Sequence, residues 1–221
     1  MKEALDGVLL PPWLATLATS LDGLGAAELS PPTPPAGVSV RESAVLIALA
    51  DSAEAGPGVL LIERAATLRT HPGQTAFPGG AADPGDAGPV ATALREATEE
   101  VGLDAAAVAV FGAMPALFLP PSGFLVTPVL AWWLRPHPVR AVDAREVARV
   151  AVVPVAELAD PANRFQVRQP TGRISPGFSA GGLFVWGFTA HLLDVLLRLG
   201  GWATEWDAER VVPLPVAGGA R

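Results

Sequence analysis

Glu96, Glu99 and Glu100 stand together in the run Arg95-Glu96-Ala97-Thr98-Glu99-Glu100-Val101-Gly102-Leu103. If this run is helical, positions i, i+3 and i+4 project three carboxylates from one face. Left alone, the arrangement is unfavourable. Like charges at these spacings repel by roughly 0.2–0.5 kcal/mol per pair, and negative charge in a last turn opposes the helix dipole by roughly 0.3–1 kcal/mol. A hard divalent cation reverses that balance: Mg²⁺ takes oxygen ligands and bridges protein carboxylates to substrate phosphates. A solvated acidic face is the plain alternative.

The surrounding residues favour the metal. Val90, Leu94, Ala97 and Val101 follow i, i+4, i+7, i+11, which predicts a buried stripe turned away from the acidic face. Gly102 is placed to end the helix in a left-handed cap. Upstream, Phe77-Pro78-Gly79-Gly80 ends an extended segment, and paired glycines let backbone approach a ligand closely. Strand, Gly-Gly loop and carboxylate-faced helix together suit a metal-bound diphosphate.

At these residues the chain resembles the Nudix hydrolases, whose signature runs Gly, five residues, Glu, seven residues, then Arg-Glu-aliphatic-x-Glu-Glu-x-Gly-aliphatic. Gly80 opens the match, and Arg95 to Leu103 close it. Asp86 stands where the first Glu is expected, and eight residues separate it from Arg95. Leu60-Leu61-Ile62-Glu63-Arg64-Ala65, Arg69, Gly73 and Phe77-Pro78-Gly79-Gly80 resemble the extended motif of the coenzyme A pyrophosphatase subfamily, where that Asp and the extra residue are common. Ser122 to Val129 and Trp186 to Ala190 are similar to later stretches of the same subfamily, so the resemblance covers residues 40 to 200.

The resemblance implies a Mg²⁺- or Mn²⁺-dependent pyrophosphatase with Glu96, Glu99 and Glu100 as metal ligands. Glu99 is a ligand or a water activator, and Arg95 orients a glutamate. It also implies a further acid from a later loop. Asp143 and Glu146 are the compact candidates, and Glu146 fits the pattern better, followed by Val147, Val150 and Val153-Pro154. Arg64 and Arg69 are the cations suited to substrate phosphates, because an acidic protein must supply planar, multi-donor groups where it binds a polyanion. Gly73, Phe77, Gly79 and Gly80 complete the expected substrate-binding set. The expected products from coenzyme A are 4′-phosphopantetheine and adenosine 3′,5′-bisphosphate. The Nudix box marks the cleaved diphosphate and not the groups attached to it, so a general nucleoside diphosphate-X pyrophosphatase acting on ADP-ribose or dinucleotides is an alternative. A non-catalytic ligand sensor is a third reading, against which Glu96, Glu99 and Glu100 are all retained.

Composition narrows the class. Fifteen Lys and Arg against 22 Asp and Glu give a net charge of −7, and with a pI near 4.9 this argues against nucleic acid as a general partner. A small-molecule substrate is expected. Apolar stretches such as Val126 to Leu134 are cut by Pro or Gly well short of the ~20 residues of a membrane helix, so no membrane association is expected. The chain has no Cys, which suits a reducing cytoplasm.

Along the chain, residues 2–28 predict one or two short helices, and Ser30-Pro31-Pro32-Thr33-Pro34-Pro35 reads as a polyproline spacer. Residues 1–37 are therefore expected to precede a Nudix domain over 38–203, followed by a tail over 204–221 whose last residues, Ala217 to Arg221, are expected to be disordered. Ala44 to Leu49 and Val59 to Ile62 predict buried strands joined by an exposed loop over Asp51 to Gly58. Val108 to Ala113, Phe124 to Trp133 and Val150 to Val155 predict further strands, and Phe188 to Leu199 an amphipathic helix. Mixed strands flanked by helices predict an α/β fold, and the resemblance implies the same α/β/α sandwich around a mixed β-sheet.

Overall fold

The structure, a computed structural model, describes residues 8–29, 34, 37, 39–52, 56–120, 122–169 and 171–215. Its elements in chain order are α1 (Pro12–Asp22), β1 (Arg41–Ser52), β2 (Gly56–Arg64), β3 (Thr75–Ala76), β4 (Gly79–Ala81), α2 (Pro89–Val101), β5 (Val108–Ala113), β6 (Leu117–Leu119), β7 (Phe124–Trp133) and β8 (Val147–Pro154). They continue with α3 (Val155–Ala159), β9 (Arg164–Arg168), β10 (Ile174–Ala180), β11 (Leu183–Val185), α4 (Gly187–Leu199) and β12 (Val211–Pro213).

Strand β1 shows how the layers form. Its side chains alternate, sending Ala44, Leu46 and Ala48 to a core shared with Ala93, Ala97 and Val101 of α2. Ile47 and Leu49 point the other way, into a core shared with Leu14 and Leu17 of α1 and Leu192, Leu193 and Leu196 of α4. A strand buried on both faces reads as a continuous apolar run, as this one does. The main sheet has eight strands, ordered β3-β2-β1-β7-β5 with β4 on β1, β6 on β7 and β8 on β2. It is mixed: β1 pairs β7 in parallel from Arg41↔Phe124 to Leu49↔Trp132, whereas β1 and β2 are antiparallel from Leu49↔Val59 to Ser52↔Gly56. The result is an α/β/α sandwich.

Several sequence expectations are met closely, β5 and β7 to the residue. Others need correction. The loop between β1 and β2 is shorter than Asp51 to Gly58, because the strands extend to Ser52 and from Gly56. Strand β8 begins at Val147, three residues early, where its pairing with Arg64 starts. A second sheet, β11-β10-β9-β12, was not anticipated, and Val211–Pro213 joins it by pairing in parallel with β9 despite weak local signals. The polyproline run, apart from Pro34, and the segment 217–221 lie outside the described residues.

The predicted stripe on α2 is also corrected. Val90 is 39% exposed and Leu94 half-buried, while Thr92, Ala93, Ala97, Glu100 and Val101 are buried. Small residues face the sheet where the helix packs on β1 and on the glycine strand β4, a close approach that larger side chains would prevent. The acidic face is therefore not wholly turned from the core.

Candidate functional site

Helix α2 carries the site and is held at both ends. Pro89 occupies its first turn, where a missing N–H costs nothing. At the other end Gly102 adopts φ 69°, ψ 28°, the left-handed cap expected from sequence. The C-terminal carbonyls of Glu100 and Val101 accept hydrogen bonds from the amides of Val142 (3.0 Å) and Arg140 (3.1 Å), so the loop leading to Glu146 is tied to the carboxylate-bearing turn.

Both glycines of β4 are needed for its approach to α2. A Cβ on Gly79 would lie 2.7 Å from Val45 Cα and collide with the Ala44 carbonyl, and one on Gly80 would occupy the place of the Glu96 carboxylate. Without those side chains, the Gly79 N–H reaches Glu100 and donates to its Oε2 at 3.0 Å.

Glu100 is 8% exposed. Burial pushes its carboxyl up to about 7; the Gly79 amide opposes this, the charges of Glu96 and Glu146 add to it, and Arg64 counters it. Burial also raises Glu96, which Arg95 partly offsets. These contributions place Arg64 and Glu146 within electrostatic reach of Glu100. A β-bulge between Glu63 and Arg64 in the pairing with β8 turns Arg64 out of the regular alternation. The Glu146 carbonyl accepts from the Ala65 amide at 2.9 Å, which brings the later loop alongside. Of the two later acids, Asp143 is engaged by Arg145, whose Nη2 donates to its Oδ2 at 2.6 Å, whereas the charge of Glu146 is felt by Glu100. Arg64 Nε is buried without a hydrogen-bond partner among the described residues.

Arg95 organises the other side. Its Nη1 donates to Glu96 Oε1 and Glu99 Oε2, both at 3.0 Å, while Nε and Nη2 reach Asp86 at 3.1 and 3.0 Å and Nη2 also reaches the Ala81 carbonyl at 2.9 Å. Asp86 additionally accepts from Thr92 Oγ1 and the Asp83 amide, both at 2.9 Å. Asp86, at the position of the first box Glu, thus anchors the arginine that holds two of the other carboxylates. Thr92 was not singled out from sequence, although its place three residues before Arg95 puts it on the same helix face.

The remaining expected site residues are placed differently. Arg69 is exposed on the loop between β2 and β3, and Gly73, at φ 65°, forms the turn of that loop. Phe77, expected among the substrate-binding residues, is 2% exposed and belongs to the hydrophobic core.

The donor set suits a hard divalent cation. Among the described residues no three metal-ligating side chains already converge on one point, because Arg95 draws Glu96 and Glu99 toward itself. Hydrogen bonds use Glu96 Oε1, Glu99 Oε2 and Glu100 Oε2, so each carboxylate has a second oxygen. Glu100, buried beside Glu96, is the group that a neighbouring positive charge would relieve most.

Comparison with known proteins identifies the family. The model of the NUDIX domain family matches residues 40–174. An uncharacterized Nudix hydrolase NudL of Cronobacter sakazakii is 45% identical over 129 residues, 58% of this chain and 65% of that protein. Another, from Citrobacter koseri, is 39% identical over 168 residues, 72% of this chain and 83% of that protein. The crystal structure of the Nudix hydrolase RenU from M. smegmatis superposes with a TM-score of 0.54 at 21% identity, covering 76% of this chain and 89% of that one, and shows the same fold. With the family model spanning more than half of its length, the chain belongs to the Nudix family and is a Nudix hydrolase.

Proposed function

We propose that this chain hydrolyses the diphosphate of coenzyme A or its thioesters, with Mg²⁺ or Mn²⁺, to 4′-phosphopantetheine (or its acylated form) and adenosine 3′,5′-bisphosphate. Water adds across the P–O–P anhydride, so each product leaves with one of the two phosphoryl groups that the anhydride joined. The observation that carries the substrate reading is the run from Leu60 to Gly80, which ends against Glu96 and Glu100 and carries Arg64, whose charge is felt by Glu100.

Glu96, Glu99 and Glu100 would hold the cation, which when bound neutralises phosphoryl charge and favours attack by water. Arg95 fixes the orientation of Glu96 and Glu99 before substrate arrives. Arg64, with a buried and unpartnered Nε, supplies a planar cation for a phosphate oxygen. Glu146, the acid outside the helix whose charge is felt by Glu100, would take a proton from the attacking water. The close approach of β4 leaves no room for side chains between the Gly79-Gly80 backbone and the carboxylates, and this keeps the reacting groups in register.

The test is incubation of the purified protein with coenzyme A, ADP-ribose and diadenosine polyphosphates in Mg²⁺ or Mn²⁺, with products identified by mass. Coenzyme A is expected to turn over fastest and to yield the two products named. Faster cleavage of ADP-ribose would overturn the substrate assignment and retain the hydrolase.

A further inference from the structure

Strands β1 and β7 begin side by side, with Arg41 and Phe124 as register partners. The Arg41 guanidinium lies 4.1 Å from the centroid of the Phe124 ring, and its Nη2 donates to the Ser122 carbonyl at 2.7 Å. An arginine held over an aromatic ring is a preorganised stacking surface. It borders a cleft of about 420 Å³ lined by Arg41, Glu42, Ala81, Ala82, Asp83 and Pro84.

This cleft is continuous with the carboxylate site. Ala81 lines it while its carbonyl accepts from Arg95 Nη2, and Asp83 Oδ2 lies 3.8 Å from Arg95 Nε. In the β1–β4 register Ala44 pairs with Gly80, so Arg41 is three residues farther along β1. At roughly 3.3 Å per residue the separation is about 10 Å, the scale on which a nucleoside extends from its own 5′-phosphate.

We propose that the cleft between Arg41 and Asp83 receives the base of the nucleotide half of the substrate and selects an aminopurine. The inference rests on the reading that the substrate is a nucleoside diphosphate derivative. The base stacks on the Arg41–Phe124 surface, since every base presents a π-face. Asp83 supplies only acceptors when ionised, so it matches an exocyclic amine and opposes the carbonyl that hypoxanthine carries at the same position.

The test is calorimetric titration of the whole protein with adenosine 5′-monophosphate, inosine 5′-monophosphate and ribose 5-phosphate, none of which has an anhydride to cleave. The adenine nucleotide is expected to bind roughly tenfold tighter than the inosine nucleotide, the lower end of the range for a hydrogen bond to a charged group. Arg41→Ala and Asp83→Ala should each remove that preference while leaving ribose 5-phosphate binding unchanged. Asp83 is an exposed loop position, so its variant tests the idea even if a β1 or β7 variant unfolds. Equal affinities for the two nucleotides in the wild type, or an undiminished preference in both variants, would overturn the inference. Steady-state kinetics with coenzyme A separate it from the substrate reading. If coenzyme A is not hydrolysed but the adenine preference depends on Arg41 and Asp83, the subsite stands and the coenzyme A reading falls. If Arg41→Ala cleaves coenzyme A with unchanged KM, the subsite falls and the reading stands.

Discussion

Two carboxylates near helix α2 have opposite fates. Asp86 is held well below the usual carboxylate range, first by Arg95 and then by the Asp83 amide, with Thr92 also contributing. Glu100 is pushed up to about 7 by burial, relieved by one backbone amide and the charge of Arg64 and aggravated by Glu96 and Glu146. The Asp86–Arg95 end is electrostatically complete as folded. The Glu100 end has more buried negative charge than its partners compensate, and perturbations of this kind cluster at functional sites. Asp86 locks Arg95, which in turn holds Glu96 and Glu99, whereas Glu100 takes its hydrogen bond from the Gly79 amide.

The largest effect expected from breaking this contrast is at Glu100. Glu100→Gln keeps a carbonyl oxygen for the Gly79 amide but removes the charge, and turnover should fall by about 10²–10³-fold, the loss typical of removing one preorganised electrostatic group. Stability should move the other way in the absence of divalent metal. A raised carboxyl pKa costs nothing below its ordinary value of 4.5, and the cost grows as pH rises and is complete above about 7. At pH 8 the variant should therefore melt higher than wild type, by up to about 3 kcal/mol of stability. Thermal melts with and without Mg²⁺ check this, and a variant less stable than wild type in metal-free buffer would refute the reading of Glu100 as an uncompensated charge.

The carboxylates themselves were legible in the sequence, because spacing alone puts positions 96, 99 and 100 on one helix face. Their inequality was not. Glu100 differs from the exposed Glu99 because Gly79 approaches it from 21 residues away, a tertiary contact that no local pattern encodes. The helix stripe was misread for a related reason: the positions against the sheet hold Thr92, Ala93 and Ala97, whose weak hydrophobicity hides their burial, while the larger Val90 points outward. Strands β5 and β7 are apolar over most of their length and were found to the residue. The second sheet escaped because its strands are three to seven residues long, β10 is interrupted by Pro176 and Gly177, and β12 finds its partner more than 40 residues back in the chain.

The next effect is at Arg95, which Asp86 holds. Arg95→Ala frees Glu96 and Glu99 and also strands Asp86, so the two glutamates lose their orientation without being removed. Groups that orient metal ligands typically change activity 10–100-fold. The expected signature is a drop in kcat with a weaker response to added Mg²⁺. Unchanged metal dependence would limit Arg95 to the scaffold.

A smaller effect separates the two arginines expected to meet phosphate. Arg64 lies beside Glu100 with a buried Nε, whereas Arg69 is exposed on the loop. Arg64→Ala should weaken kcat/KM for coenzyme A by about 1.5–3 kcal/mol, the range for a hydrogen bond to a charged group. Arg69→Ala should cost less, in line with a solvated contact. A larger loss at Arg69 would mean that the β2–β3 loop folds over the substrate.

The smallest effect is at Asp86 and is read as a pH dependence. A carboxyl whose folded pKa is depressed stabilises the protein above its unfolded value, roughly 3.9, and loses that contribution as pH falls toward the folded value. Asp86→Asn keeps an acceptor for Thr92 but loses the charge that holds Arg95. The difference in melting temperature between wild type and Asp86→Asn should be largest near pH 6 and close steadily below pH 4. Glu100→Gln should show the reverse, with its gap opening as pH rises toward 8. Melts of both variants across pH 3 to 8 test the contrast in one experiment, and parallel curves for the two would show that the ends of α2 are not electrostatically distinct.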